Sequence, residues 1–212
     1  SLYLNGKMKT IISLRNYRTS KKYLPNIIEN GGDLSPSISP KLKKKIDLFL
    51  EKLRFKLKIF YGPLKCDLII LNNKIYLLEA AIRFGGGFVA SKCSHHILNE
   101  NFIEAYYNFL TGEKNTKYYG KKFYSVSCRA IIQKRKDYGF FEKIEIKNLK
   151  KFKKNILCLS INKKPGEIIS KPMSHADRVG FIVIGSKTKS YTSRQLADKI
   201  VSSIEIKKSL VQ

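Results

Sequence analysis

The scarcities of this chain narrow its possibilities first. Only 16 of its 212 residues are acidic, against 42 lysines and arginines. No apolar run approaches the roughly 18–20 residues that a membrane span requires, and the opening SLYLNGKMKT carries no signal-peptide pattern. The four cysteines, Cys66, Cys93, Cys128 and Cys158, are far apart and form no CxxC pair, so zinc-ligand spacing is absent. Each sits among apolar or small residues, which points to buried free thiols in a reducing cytoplasm. There is no internal repeat and no long stretch of disorder-prone composition.

What remains is globular. The length allows one large domain or two small ones with a sizeable core, and the apolar share, 43%, is ordinary. The net charge of +26 comes mostly from lysine, and the lysines are scattered: Lys41, Lys43–Lys45, Lys52, Lys56, Lys58, then Lys147 through Lys154. Nucleic-acid binders gather charge on one face with arginine and aromatics interleaved. A solvated lysine surface therefore reads better than specific nucleic-acid recognition, with a general polyanion surface as the alternative.

Local signals divide the chain. Asn5-Gly6 between two short apolar-alternating runs marks a type I′ hairpin. Residues 16–37 read as loop, with Pro25, Gly31-Gly32 and Ser35-Pro36. Ser39-Pro40 is an N-cap followed by a proline at the first helical position. The recurrence of Leu42, Ile46, Phe49, Leu50, Leu53 and Leu57 predicts a helix over 40–58, which Gly62-Pro63 breaks. Two apolar runs, Cys66–Leu71 and Ile75–Glu79, predict a hairpin buried on both faces and interrupted only by Asp67 and Glu79. Asn101 with Glu104 predicts a capped helix over 102–111 ended by Gly112. Beyond 114–122, short strands are expected at Tyr124–Gln133, Ile144–Ile146, Ile156–Ile161 and Gly180–Ile184. Thr192 with Gln195 caps a final helix along Leu196, Ile200 and Ile204.

The stretch LLEAAIRFGGGF, residues 77–88, needs a further explanation. A carboxylate in an otherwise apolar strand costs several kcal/mol to bury unless it is paired or binds a cation. Here there are two. With a three-residue turn at Asn72-Asn73-Lys74, Leu71 faces Ile75 and Asp67 faces Glu79. Like charges there repel, and a divalent cation, or a recruited lysine in its absence, removes the conflict. Two carboxylates with phosphate oxygens and water suit Mg²⁺. Arg83 follows the strand end, where a guanidinium can neutralise a phosphate. Gly85, Gly86 and Gly87 let backbone approach a ligand and offer N–H groups to an anion. Each feature alone also has a plain structural explanation, as a surface salt bridge, an exposed strand end or a turn. His95-His96 reads either as a helix start or as a substrate contact. Arg15 and Arg18, flanking Tyr17, read equally as ligand contacts or loop charges, and His175 before Arg178 has no readable role.

GPLKCDLIILNNKIYLLEAAIRFGGGF, residues 62–88, resembles the C-terminal part of the ATP-grasp superfamily, where a hairpin supplies an acidic residue and then a Glu-x-Asn-x-Arg motif. The superfamily includes carbamoyl-phosphate synthetase, D-alanine–D-alanine ligase and the L-amino-acid ligases. KPGEIISKPMSHADRVGFIVIGSKTKSYTSRQLADKI, residues 164–200, is similar to the small C-terminal domain of enzymes like the L-amino-acid ligases. The resemblance spans roughly residues 1–206. It implies an α+β fold, with an antiparallel ATP-grasp portion over 1–113 and a small β-rich domain with a closing helix over 114–212. It implies an ADP-forming ligase that joins a carboxylic acid to an amine through an acyl phosphate, with ATP as co-substrate and Mg²⁺ or Mn²⁺ as cofactor. By the same resemblance Asp67 and Glu79 are metal ligands, Arg83 holds phosphate, and Gly85, Gly86 and Gly87 lie toward substrate. Ala81, which cannot ligate a metal, stands where the family usually has asparagine, which speaks against a second metal there. The N-terminal substrate domain, two lysines and glycine-rich loop that grip ATP have no counterpart here. They are expected elsewhere in the same polypeptide, and this portion alone is expected not to turn over ATP.

Overall fold

The computed structural model describes residues 1–15, 24–34, 38–86, 88–98, 100–113, 123–188 and 192–209. In chain order these give β1 (Leu2–Leu4), β2 (Lys7–Lys9), β3 (Ser13–Arg15), β4 (Gly31–Leu34), α1 (Pro40–Lys56), β5 (Gly62–Pro63), β6 (Lys65–Leu71), β7 (Lys74–Ala81), α2 (Ser94–Leu98) and α3 (Phe102–Thr111). There follow β8 (Ser125–Ile131), β9 (Gly139–Ile146), α4 (Leu149–Phe152), β10 (Ile156–Ile161), β11 (Ile168–Ile169), β12 (Gly180–Ser186), α5 (Ser193–Ser202) and β13 (Ile204–Ser209). The described elements are mixed α and β, and every sheet is antiparallel.

The chain divides into two compact units, Ser1–Ile12 with Ser35–Lys121, and Ser13–Leu34 with Lys122–Gln212. A single cut at 113/114 would leave residues 13–34 in the first unit, whereas their strands pair inside the second.

In the first unit, the end rules operate as the residues dictate. Asn5 and Gly6 both take positive φ, 49° and 73°, and turn β1 into β2. The Ser39 side chain accepts from the Leu42 N–H ahead of Pro40, and Gly112 ends α3 in the left-handed conformation. The Asn101 side chain accepts from the N–H groups of Ile103 and Glu104, satisfying donors that the first helical turn leaves open. Instead of only breaking α1, Gly62-Pro63 forms β5 and pairs with β1. Leu2, Phe102 and Ala105 form a core, with Leu4, Ile11, Phe84, Leu98 and Tyr106 packed against it.

The β6–β7 hairpin departs from its expected burial. It forms a two-stranded sheet of its own, and Ile69, Ile70, Leu71, Tyr76, Leu77 and Leu78 are exposed. Its apolar composition suits a strand covered on both sides, and the described residues supply too little cover.

The second unit has a five-stranded sheet ordered β10-β12-β8-β4-β3 and a three-stranded sheet ordered β11-β9-β13. Ile182, Ile184, Leu196, Ala197, Ile200 and Phe152 form one core under α5, whose Thr192–Gln195 capping box has both halves in place. Ile131, Phe141, Ile169 and Val179 form another. Two expectations fail here. Part of the segment read as loop is β4, because Gly31 and Gly32 serve close strand packing. A Cβ on Gly31 would lie 2.1 Å from the Cys128 carbonyl oxygen, at a φ of 112° that disfavours side chains. The final helix stops at Ser202, and Ile204 instead opens β13, so the helix does not close the chain. Cys93 and Cys128 are buried, whereas Cys66 and Cys158 are only half-buried, and none of the four is in a disulfide.

Arg129, fully buried on β8, holds this sheet to α5. Its Nη2 donates to Asp33 Oδ1 at 2.7 Å and its Nε to Asp198 Oδ1 at 3.0 Å. Nη1 donates to the carbonyls of Gly32 and Cys128, at 3.3 and 3.0 Å. Ser127 Oγ gives Asp33 Oδ1 a further hydrogen bond at 2.7 Å.

Candidate functional site

The candidate site is built on the β6–β7 hairpin. Its turn is the two residues Asn72-Asn73, both left-handed at φ 48° and 59°, with Leu71 paired to Lys74. This is type I′ geometry, whose twist matches the flanking strands, and it overturns the expected three-residue turn. A regular ladder from such a turn would set Asp67 opposite Leu78 and point Glu79 to the other face. The ladder is not regular. Leu68 pairs with Leu77 and Asp67 with Glu79, so Leu78 is an extra residue in a β-bulge. The bulge restores the carboxylate pair that the turn alone would have separated.

Side-chain alternation puts Lys65 on the same face as Asp67, and its ammonium is the cation that the two carboxylates share. Lys65 Nζ lies 2.8 Å from Asp67 Oδ2 and 3.0 Å from Glu79 Oε1. The Lys65 side chain is only 11% exposed, against 51% for Glu79. Arg83, two residues beyond the end of β7, approaches Glu79 Oε1 with Nη2 at 3.8 Å and donates from Nη1 to the Phe84 carbonyl at 3.1 Å. Lys65 escaped the sequence reading, although its place two residues before Asp67 on one strand was the signal that could have found it.

Around this cluster the other candidates are placed unequally. Ala81 is the cross-strand partner of Lys65 and offers no oxygen. A Cβ on Gly85 would come no nearer than 4.0 Å, to Lys65 Cγ, and one on Gly86 would meet nothing. Neither has a positive φ, so neither crowding nor backbone strain explains these two glycines. Gly87 and Arg18 lie outside the described residues, as does the side chain of Arg15. His95 comes from another element, α2, where its ring centroid lies 3.9 Å from that of His96, the planes tilted by 48°. Burial, with Lys92 nearby, pushes its pKa down and favours neutral imidazole. His175 begins a short 3-10 turn, and its Nε2 accepts from the Glu29 N–H at 3.2 Å, a structural role.

Among the described residues no group of three or more His, Cys, Asp or Glu side chains is placed to hold a metal ion. The donors here are two carboxylates converging on one cation. They suit a hard ion such as Mg²⁺ or Mn²⁺ in donor type, provided that phosphate oxygens and water complete the shell.

No protein-family profile and no curated protein sequence matches the chain. Solved structures do. Phosphoribosylglycinamide synthetase from Anaerococcus prevotii aligns with a TM-score of 0.72 and 17% identity, over 86% of this chain and 46% of that one. L-amino acid ligase from Bacillus licheniformis aligns with a TM-score of 0.68 and 16% identity, over 87% and 45%. The biotin carboxylase domain of a thermophilic 2-oxoglutarate carboxylase aligns with a TM-score of 0.58 and 12% identity, over 92% and 45%. The chain spans less than half the length of each. It has the fold of the C-terminal portion of the ATP-grasp enzymes. No helix among the described residues is long and apolar enough to cross a membrane.

Proposed function

We propose that this chain is the metal- and phosphate-handling C-terminal portion of an ATP-dependent, ADP-forming ligase that joins a carboxylic acid to an amine through an acyl phosphate. The observation that carries this reading is the bulged hairpin, which brings Asp67 and Glu79 together beside Arg83. The likeness to ATP-grasp enzymes supports the general kind of reaction. The exposed apolar residues of the hairpin support a further portion of the protein, carrying the nucleotide-gripping groups, as their cover. In this reading the first unit belongs to the ATP-grasp domain and the second is the small C-terminal domain. The whole protein acts on a small cytoplasmic carboxylic acid and an amine, with amino acids as candidates for either role.

The proposed chemistry follows from the groups present. Asp67 and Glu79 would hold Mg²⁺ or Mn²⁺. When bound, the ion neutralises charge on the ATP phosphates and orients them. Arg83 would place its guanidinium against the transferred phosphoryl group and stabilise charge developing on its oxygens. The backbone of Gly85–Gly87 would approach the substrate without a Cβ in the way, and neutral His95 would act as a hydrogen-bonding partner rather than a cation.

Substitution in the full-length protein tests this. With the acid and amine supplied, Glu79→Gln is expected to lower kcat for ADP release by about 10²–10³, the order seen on removing one electrostatic group from a reacting centre. Unchanged turnover in a folded Glu79→Gln protein would remove the proposal. The 212-residue portion alone is expected to release no ADP.

A non-catalytic polyanion-binding module is the second reading. It rests on Lys150, Lys151, Lys153 and Lys154, exposed around α4 and without an ion pair among the described residues. Sequence-selective RNA binding that survives about 200 mM salt would favour it.

A further inference from the structure

The site contains its own neutralising charge. Two carboxylates face one ammonium and one guanidinium, so their formal charges already cancel. The ammonium is the better placed of the two cations. Lys65 Nζ is within 3.0 Å of both carboxylates and its side chain is nearly covered, whereas Arg83 is more than half exposed and stands 3.8 Å from Glu79. Its position is also fixed by the fold. Lys65 starts β6, pairs with Ala81 across the ladder, and has Gly85 alongside its stem. A larger residue at 81, directly across the ladder, would compete with it for space.

We infer that Lys65 is an internal counter-cation that competes with the divalent ion for the Asp67–Glu79 pair, so that metal binds this site weakly by itself and more tightly with an anion able to receive the displaced ammonium. The inference rests on the ligase reading for the identity of that anion, the phosphates of a nucleotide, but not for the competition itself. A divalent cation binding the carboxylates must break a charge-assisted hydrogen bond to Asp67, stronger than a neutral one, and an ion pair to Glu79. Without phosphate nearby, the freed ammonium stays beside the incoming like charge, and both lose. With phosphate present, the same ammonium moves from carboxylate to phosphate oxygen and remains paired. Lys65 thereby makes metal and nucleotide binding mutually dependent, and it keeps the carboxylates together while the site waits. The small residue Ala81 is then explained as the neighbour that leaves Lys65 its place rather than as a lost ligand.

Mn²⁺ binding to the 212-residue chain, followed by electron paramagnetic resonance without nucleotide, tests the competition directly. Lys65→Met is expected to bind Mn²⁺ about tenfold more tightly than the unaltered chain, the order expected for one charged hydrogen-bonding partner. Adding Glu79→Gln to Lys65→Met should abolish the gain. Equal or weaker Mn²⁺ binding by Lys65→Met overturns the inference. Should Lys65→Met not fold, the unaltered chain still decides: saturating Mg²⁺ must move the Lys65 ¹³Cε resonance with the midpoint of metal binding, and a resonance that stays in place overturns it. A full-length protein that shows this competition but no ligase turnover would remove the ligase reading and leave the inference standing.

Discussion

Two of the clusters of opposite charge among the described residues differ in what their surroundings allow. In the second unit Arg129 is fully buried, and its donors are taken up by Asp33, Asp198 and two backbone carbonyls. In the first unit Lys65 joins Asp67 to Glu79 on a strand pair whose apolar side chains are largely exposed. Both are pairs of carboxylates around a cation. The buried one is locked, because removing Arg129 or Asp33 leaves the other as a charge in low dielectric. The open one is exchangeable, because its Glu79 end is half exposed and water can take over there at modest cost. Burial, rather than residue type, separates a structural cluster from one fit to trade a lysine for a metal.

Substitution at the buried cluster should give the largest effect. Arg129→Met leaves Asp33 without its main partner, with only Ser127 and a more distant Arg194 (3.7 Å) to compensate. A loss of about 3–5 kcal/mol is expected in denaturant unfolding. A loss below about 1 kcal/mol would show that this cluster is as exchangeable as the other and break the comparison.

A smaller effect, dependent on pH, is expected at the neighbouring thiol. Burial pushes the Cys128 thiol up to about 12, despite the opposing charges of Arg129 and Arg178. An unfolded thiol titrates near 8.5. The folded pKa is the higher one, so the contribution of the neutral thiol is intact below about pH 8.5 and is lost as pH rises toward about 12. The unaltered chain should lose stability more steeply than Cys128→Ala between pH 9 and 11 (both limits approximate). Parallel slopes would show that the thiol is already in contact with water, and with it the edge of the Arg129 cluster.

The smallest effect is expected at the open cluster. Glu79→Gln, which should cripple turnover in the full-length protein, is expected to change folding stability by less than about 1 kcal/mol, as for an exposed pair. A loss of about 3 kcal/mol or more would make Glu79 structural, and the contrast between the clusters would disappear.

Much of this was legible in local sequence because its causes are local. Ser39-Pro40, Asn101, Gly112 and Thr192-Gln195 mark helix ends because an end has open N–H and C=O groups within four residues of the marker. Asn5-Gly6 marks a turn because both residues accept positive φ. The pairing of Asp67 with Glu79 was legible too, but through a wrong turn length. The sequence contains no sign of whether an odd count is made up in the turn or in a bulge at Leu78. Only the folded ladder, with its two-residue turn, decides that.

The other decisions were made at long range. Gly31-Gly32 looks like a loop in sequence and is a strand in space, since the reason for the glycines, the Cys128 carbonyl, lies on β8. Asp33 and Arg129 carry no mutual signal along the chain, yet the pairing of β4 with β8 makes them an ion pair. Ile204 continues the apolar spacing of α5 but opens β13, because a partner strand, β9, is there to receive it. Composition and spacing determined which residues could cap, turn or carry charge, through interactions that span a few residues. Which strands adjoin, and therefore which charges are buried and locked and which stay open to a ligand, was decided only by the tertiary structure. Those contacts join residues that no short-range rule connects.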